Sequence, residues 1–127
     1  MPRDPTQRRL DDRIRGEHML KAARDVVLMA TNRVRGDLDT DMILRRAMVN
    51  AIQDIGEAAN QITEVGKARM SAVPWKQLVG MRHRLVHGYD AINLDTVWQV
   101  ATHEVQPLIA ALECAFASWP LPDPPLD

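Results

Sequence analysis

Apolar residues recur along the chain at spacings of three and four, and nowhere do they alternate over a strand-length run. From Asp11 onward, Leu20, Ala23, Val27, Ala30 and Val34 line one face of an expected first helix. Gly36 fits its C-terminal cap, with Arg33 and Arg35 near the negative end of the dipole. Asp37, Asp39, Thr40 and Asp41 then offer N-caps for a second helix. Its seam reads Leu44, Ala47, Ala51, Ile55, Ala58, Ile62 and Val65, about seven turns. Gly56 lies inside that seam, at a cost of roughly 1 kcal/mol against alanine. Close approach of a neighbouring helix would account for it. Asn50, Asp54, Glu57 and Gln61 form a second, polar stripe on the same helix.

Residues 66–73 look like a connection, and Pro74 suits the first turn of a third helix carrying Trp75, Leu78, Arg82 and Leu85. That helix should stop at about His87, because Gly88 is a good C-cap. Asn93, Asp95 and Thr96 are caps for a fourth helix, with Val97, Ala101, Val105, Leu108, Leu112, Ala115 and Trp119 as its stripe. Pro107 falls inside it and should kink it, with room for a short fifth helix beyond. The expected organisation is a loose lead-in over residues 1–10, one helical domain over 11–119 and a Pro-rich tail over 120–127. The fold class is all-α, an antiparallel up-and-down bundle of four to five helices.

Composition changes this picture little: 46% apolar and 26% charged residues are ordinary for a globular chain. One cysteine, Cys114, leaves no intramolecular disulfide and fits a reducing compartment. The N-terminal residues are charged and lack an apolar leader segment, and the most apolar stretch, Leu108 to Trp119, is short and interrupted by Glu113. A cytoplasmic protein without membrane contact is expected. Charge is more informative. Up to Arg84 there are sixteen basic and eleven acidic residues, net +5; residues 85–127 hold six acids and no Lys or Arg, net −6. A basic body of this kind can present a phosphate-attracting face, although scattered solvated charges give the same count.

The chemistry concentrates in Met81-Arg82-His83-Arg84-Leu85-Val86-His87-Gly88-Tyr89, which contains R-x-x-x-x-H-x-Y. RNA can be cut by its own 2′-hydroxyl if a base takes the 2′-proton, a cation steadies the phosphorane and an acid protonates the departing 5′-oxygen. An imidazole titrates near neutrality and suits the proton steps. A guanidinium fork suits the non-bridging oxygens. So Arg82 and His87 are the catalytic candidates. Five residues apart, they stand roughly 140° around a continuous helix. A loosened last turn, or a second copy of the motif from another subunit, would bring them together. Glu57 or Asp54 can orient Arg82; a solvated face is the plainer account of both. An exposed cluster steadied by the helix end explains the Arg–His pair equally, and Tyr89 also fits a core aromatic. His83 and His87 have a zinc-ligand spacing, but only Asp90 or the distant His18 and His103 could join them, so no metal or other cofactor is expected. Cys114 has no basic neighbour to activate it, and no G-x-x-x-x-G-K loop is present.

Three segments in order carry a family resemblance: Ile55-Gly56-Glu57-Ala58-Ala59, then Pro74 through Tyr89, then Asn93-Leu94-Asp95-Thr96-Val97-Trp98. Over about Asp41 to Glu113 the chain resembles the HepT-type HEPN toxins. The resemblance implies an all-α, metal-independent endoribonuclease acting as a homodimer, with Arg82 and His87 at the motif's arginine and histidine. It leaves 2′,3′-cyclic phosphate ends as the expected product. His83 stands at the polar position after the arginine, as a supporting residue. The implied partner is a minimal nucleotidyltransferase antitoxin of a type VII-like pair, which adds AMP to the motif tyrosine, here Tyr89. Asp90 stands where an aromatic is more common. A non-catalytic dimeric module that holds a nucleotide or the nucleotidyltransferase is the alternative.

Overall fold

Asp4 and Pro5 begin the first helix. The Asp4 carboxylate accepts from the Gln7 backbone N–H at 2.8 Å, and Pro5 occupies the first turn, where its missing N–H is not needed. The computed structural model describes residues 4–87 and 91–119, apart from the side chains of Pro5, Thr6, Arg9, Leu10 and His87. Helix α1 therefore runs Pro5–Ala30, and the loose lead-in expected over residues 1–10 is corrected from Pro5 onward. Met19, Leu20, Ala23 and Val26 are its buried residues, so the true stripe is rotated from the expected one. Val34, expected on that stripe, is 67% exposed. The helix also ends six residues before Gly36. The Thr31 hydroxyl donates back to the Val27 carbonyl at 2.8 Å and Asn32 takes the left-handed conformation (φ 60°), the role assigned to Gly36. Gly36 instead opens the short α2, Asp37–Thr40.

Asp41 starts α3, Met42–Gln61, by accepting from the Leu44 N–H at 3.0 Å. Leu44, Met48, Ala51, Ile52, Ile55 and Ala59 face the core. The seventh turn is absent. Thr63 caps a separate helix, α4 (Glu64–Arg69), where a connection was expected, and Val65 is exposed. Asp12 of α1 locks that corner. It is 2% exposed and accepts from the Thr63 N–H (3.0 Å) and hydroxyl (2.6 Å).

The expected third helix is two short ones, α5 (Trp75–Val79) and α6 (Met81–Leu85), divided at Gly80. A Cβ on Gly56 would lie 3.0 Å from both the Leu78 carbonyl oxygen and the Met81 Cβ. The helix that approaches Gly56 is thus this pair. The Trp75 indole N–H donates to the Lys67 and Met70 carbonyls at 3.1 and 2.9 Å, tying α5 to the end of α4.

Beyond α6, β1 (Val86–His87) and β2 (Ala91–Ile92) form a two-residue antiparallel ladder, Val86 opposite Ile92 and His87 opposite Ala91. No alternating pattern marks so short a ladder, and none was expected. Asn93 accepts from the Thr96 N–H at 3.1 Å and starts α7, Leu94–Gln99. One π-helical turn, Val100–Glu104, then leads into α8, Val105–Ala117, with the Val105 N–H bonded to the Val100 carbonyl. Pro107 lies in the first turn of α8. The widened turn just upstream gives its ring room, so the helix changes register where a break was expected.

The result is an all-α bundle. Met19, Val26, Met48, Ile52, Ile55, Met81, Leu85, Val97, Val100 and Leu112 share one core. Gly16 of α1 sits against the Phe116 ring of α8, which a Cβ there would approach to 2.7 Å. No helix among the described residues is long and apolar enough to cross a membrane. The expected tail over 120–127 lies outside the described residues.

Candidate active site

Met81 and Leu85 are four residues apart and nearly fully buried, at 1% and 0% exposure. They fix the rotation of α6 and turn the residues between them outward. Arg82 and His83 emerge exposed. Arg82 has no hydrogen-bond or ion-pair partner among the described residues, so its fork is open to an incoming oxyanion.

Its neighbour behaves otherwise. Arg84 donates from Nη1 to Glu104 Oε1 at 2.8 Å and from Nη2 to Oε2 at 2.7 Å, a bidentate pair. The hydrogen bonds from Glu104 raise the Arg84 pKa above the usual guanidinium value, against an opposing effect of burial. Glu104 is the last residue of the π-turn, so the irregularity in the α7–α8 rod brings its carboxylate to the motif helix. Sequence reading missed this pair. It had no periodic signal, because the π-turn resets the helical register between the residues that would have shown it.

The regular helix stops at Leu85, with Val86 already extended (φ −89°, ψ 130°). His87 is thus carried on strand backbone opposite Ala91, and the 140° separation that a continuous helix would impose on Arg82 and His87 does not apply. The His87 side chain and Tyr89 lie outside the described residues.

Glu57 is exposed on α3 and lines, with Asp54, Arg15, His18, Lys21 and Gln61, an open groove of about 380 Å³ between α1 and α3. No contact joins Glu57 or Asp54 to Arg82; the carboxylate that engages this segment is Glu104, and it takes Arg84. All four residues of the polar stripe, Asn50, Asp54, Glu57 and Gln61, are exposed. Among the described residues no group of three His, Cys, Asp or Glu side chains could hold a metal ion. Cys114 is exposed and unbridged.

The clamp has a measurable consequence. Glu104→Ala is expected to lower stability to urea by about 1 kcal/mol, a charged bidentate bond discounted for its partial exposure. A cycle with Arg84→Ala should recover most of that as coupling; additive losses would show that the pair is decorative.

Known proteins agree with this geometry. A relative from Caldanaerobacter subterraneus subsp. tengcongensis named "Putative RNase" is 32% identical over 96 residues, covering 72% of this chain and 82% of the relative. Another of the same description from Methanocaldococcus jannaschii is 29% identical over 87 residues, 68% of this chain and 80% of that one. A protein from Thermococcus cleftensis named "Probable ribonuclease HepT" is 27% identical over 67 residues, 53% and 61% of the two chains. No solved structure matches significantly. The family described as Ribonuclease HepT-like matches residues 19–115, which span the core helices, the motif segment and the Glu104 clamp. The chain belongs to the HepT-like ribonuclease family.

Proposed function

We propose that this chain is a metal-independent endoribonuclease, the toxin of a type VII-like toxin–antitoxin pair, with Arg82 and His87 as its catalytic residues. The observation that carries the reading is the contrast within one segment. Met81, Leu85 and Arg84 are each fixed by the fold, whereas Arg82 is exposed without a partner, five residues before a histidine released from the helix.

In this scheme the RNA 2′-oxygen attacks the adjacent phosphorus in line with the 5′-oxygen. Arg82 donates to the non-bridging oxygens as their charge grows. His87 moves a proton, either taking it from the 2′-hydroxyl or giving it to the departing 5′-oxygen. The P–O5′ bond breaks, leaving a 2′,3′-cyclic phosphate and a 5′-hydroxyl. One histidine serves one of the two proton steps; in a homodimer the second motif copy can serve the other. His83, exposed beside Arg82, adds a donor at the same phosphate. Glu57 receives no part, since it lines the α1–α3 groove.

Silencing by a minimal nucleotidyltransferase fits the same scheme. AMP on Tyr89, two residues past His87, would put bulk and negative charge where the RNA phosphate must pass. The test is direct. Purified protein incubated with RNA in EDTA is expected to yield fragments with 2′,3′-cyclic phosphate ends. A stable complex with RNA or nucleotide but no turnover would replace this reading with that of a non-catalytic dimeric binding module. In cells, growth arrest on expression that Arg82→Ala abolishes is the matching result.

A further inference from the structure

Beside the motif ladder lies a concavity of about 460 Å³ lined by Arg45, Arg46, Val49, Asn50, Ile92 and Leu94. Its size is within the ~300–1,000 Å³ usual for small-ligand sites. The lining has two kinds of surface. Val49, Ile92 and Leu94 are half-buried and give an aliphatic floor, while Arg46 and Asn50 are exposed at the rim. No lining residue is acidic. Arg45 is held in place by donating from Nη1 to the Leu38 and Asp39 carbonyls at 2.8 and 3.4 Å. Arg46 has no partner among the described residues.

The position matters as much as the chemistry. Ile92 is the ladder partner of Val86, the residue immediately before His87. A chain of RNA whose scissile phosphate lies at the motif would pass over this hollow with its neighbouring nucleotide. We infer that the concavity is a nucleotide subsite, holding a phosphate on Arg46 and Arg45, a base against Val49, Ile92 and Leu94, and the edge of that base on Asn50. A carboxamide pairs a donor with an acceptor and so can read a base edge; an arginine at the rim can also stack on the base. The aliphatic floor supplies the contact that the few aromatics of this chain do not. The inference rests on the ribonuclease reading for the identity of its ligand.

Nucleoside 3′-monophosphates of the four bases, titrated by calorimetry into the full chain and its Arg46→Ala/Asn50→Ala variant, test it. Both residues are exposed, so the variant should melt within a degree or two of the parent. Its affinity for at least one nucleotide is expected to fall about tenfold or more, the loss of ~1.4 kcal/mol of contact. The KM for an RNA oligonucleotide should rise to a similar degree with kcat changed far less. Inorganic phosphate, as a control, should bind more weakly than the nucleotide; equal binding would overturn the base-holding half of the site. Nucleotide affinity unchanged in the variant would overturn the subsite even if RNA is cut. No cleavage by the parent, with nucleotide binding still lost in the variant, would instead remove the ribonuclease reading and leave the nucleotide site standing.

Discussion

His87→Ala is expected to lower RNA cleavage by about 10²–10⁴-fold, the usual contribution of a positioned acid or base. Binding of a non-cleavable 2′-deoxy substrate should change little, because the imidazole acts on protons and the phosphates are held by arginines. Arg82→Ala should cost about 10²–10³ in kcat as the phosphorane loses its donor. Arg82→Lys should recover only part of that, since an ammonium cannot offer the parallel fork. The double variant should be little worse than the worse single one, because both act on one reacting group. Single-turnover cleavage of a labelled oligonucleotide measures all of these. Activity that persists in His87→Ala would remove that residue from the chemistry. Neither substitution should alter the fold: Arg82 is exposed, and the helix it sits on is anchored by Met81 and Leu85.

The second large effect is on stability, at Asp12. This carboxylate is 2% exposed and accepts two hydrogen bonds from Thr63, one from the backbone N–H and one from the hydroxyl. Asp12→Ala would strand the Thr63 N–H at the start of α4 and remove a charged acceptor. The expected loss is about 2–3 kcal/mol, read from urea unfolding, since a buried donor left unsatisfied costs its full desolvation. The melting temperature should drop by roughly 10 °C. Asp12→Asn keeps one carbonyl oxygen for the N–H and should restore about half. A loss below ~0.5 kcal/mol for the alanine variant would mean that α4 is held by its packing alone.

Local signals survived folding where the physics was local. The Asp41 and Asn93 caps start their helices as read, because a side chain and an N–H three residues on decide the matter between them. Gly56 marked a close approach, and Met81 supplies it. What escaped the sequence was set by partners far along the chain. Asp12 reads as one of several charged residues in a polar run; only Thr63, 51 residues away, makes it a buried cap. The α1 stripe was placed on Val27 and Val34, although Met19 and Val26 take the core. Charged residues on both sides of that helix left its buried face undefined by pattern. Arg84 looked like one more cation beside Arg82. Its carboxylate arrives through a turn whose hydrogen bonds span five residues, and no 3.6-residue periodicity can announce that.

That wider turn is in effect an ordinary helix with a single residue inserted. Removing one amino acid between Val100 and Glu104 would let the rod close into uninterrupted α-helix, and everything after the cut would swing by about 100°. Glu104 would then leave Arg84, and Phe116, two turns further on, would vacate the notch that Gly16 makes for it. Family members that lack the extra residue should therefore lack both the acid and the glycine notch, whereas those with it should tolerate many exchanges of side chain in this turn but no change in its length.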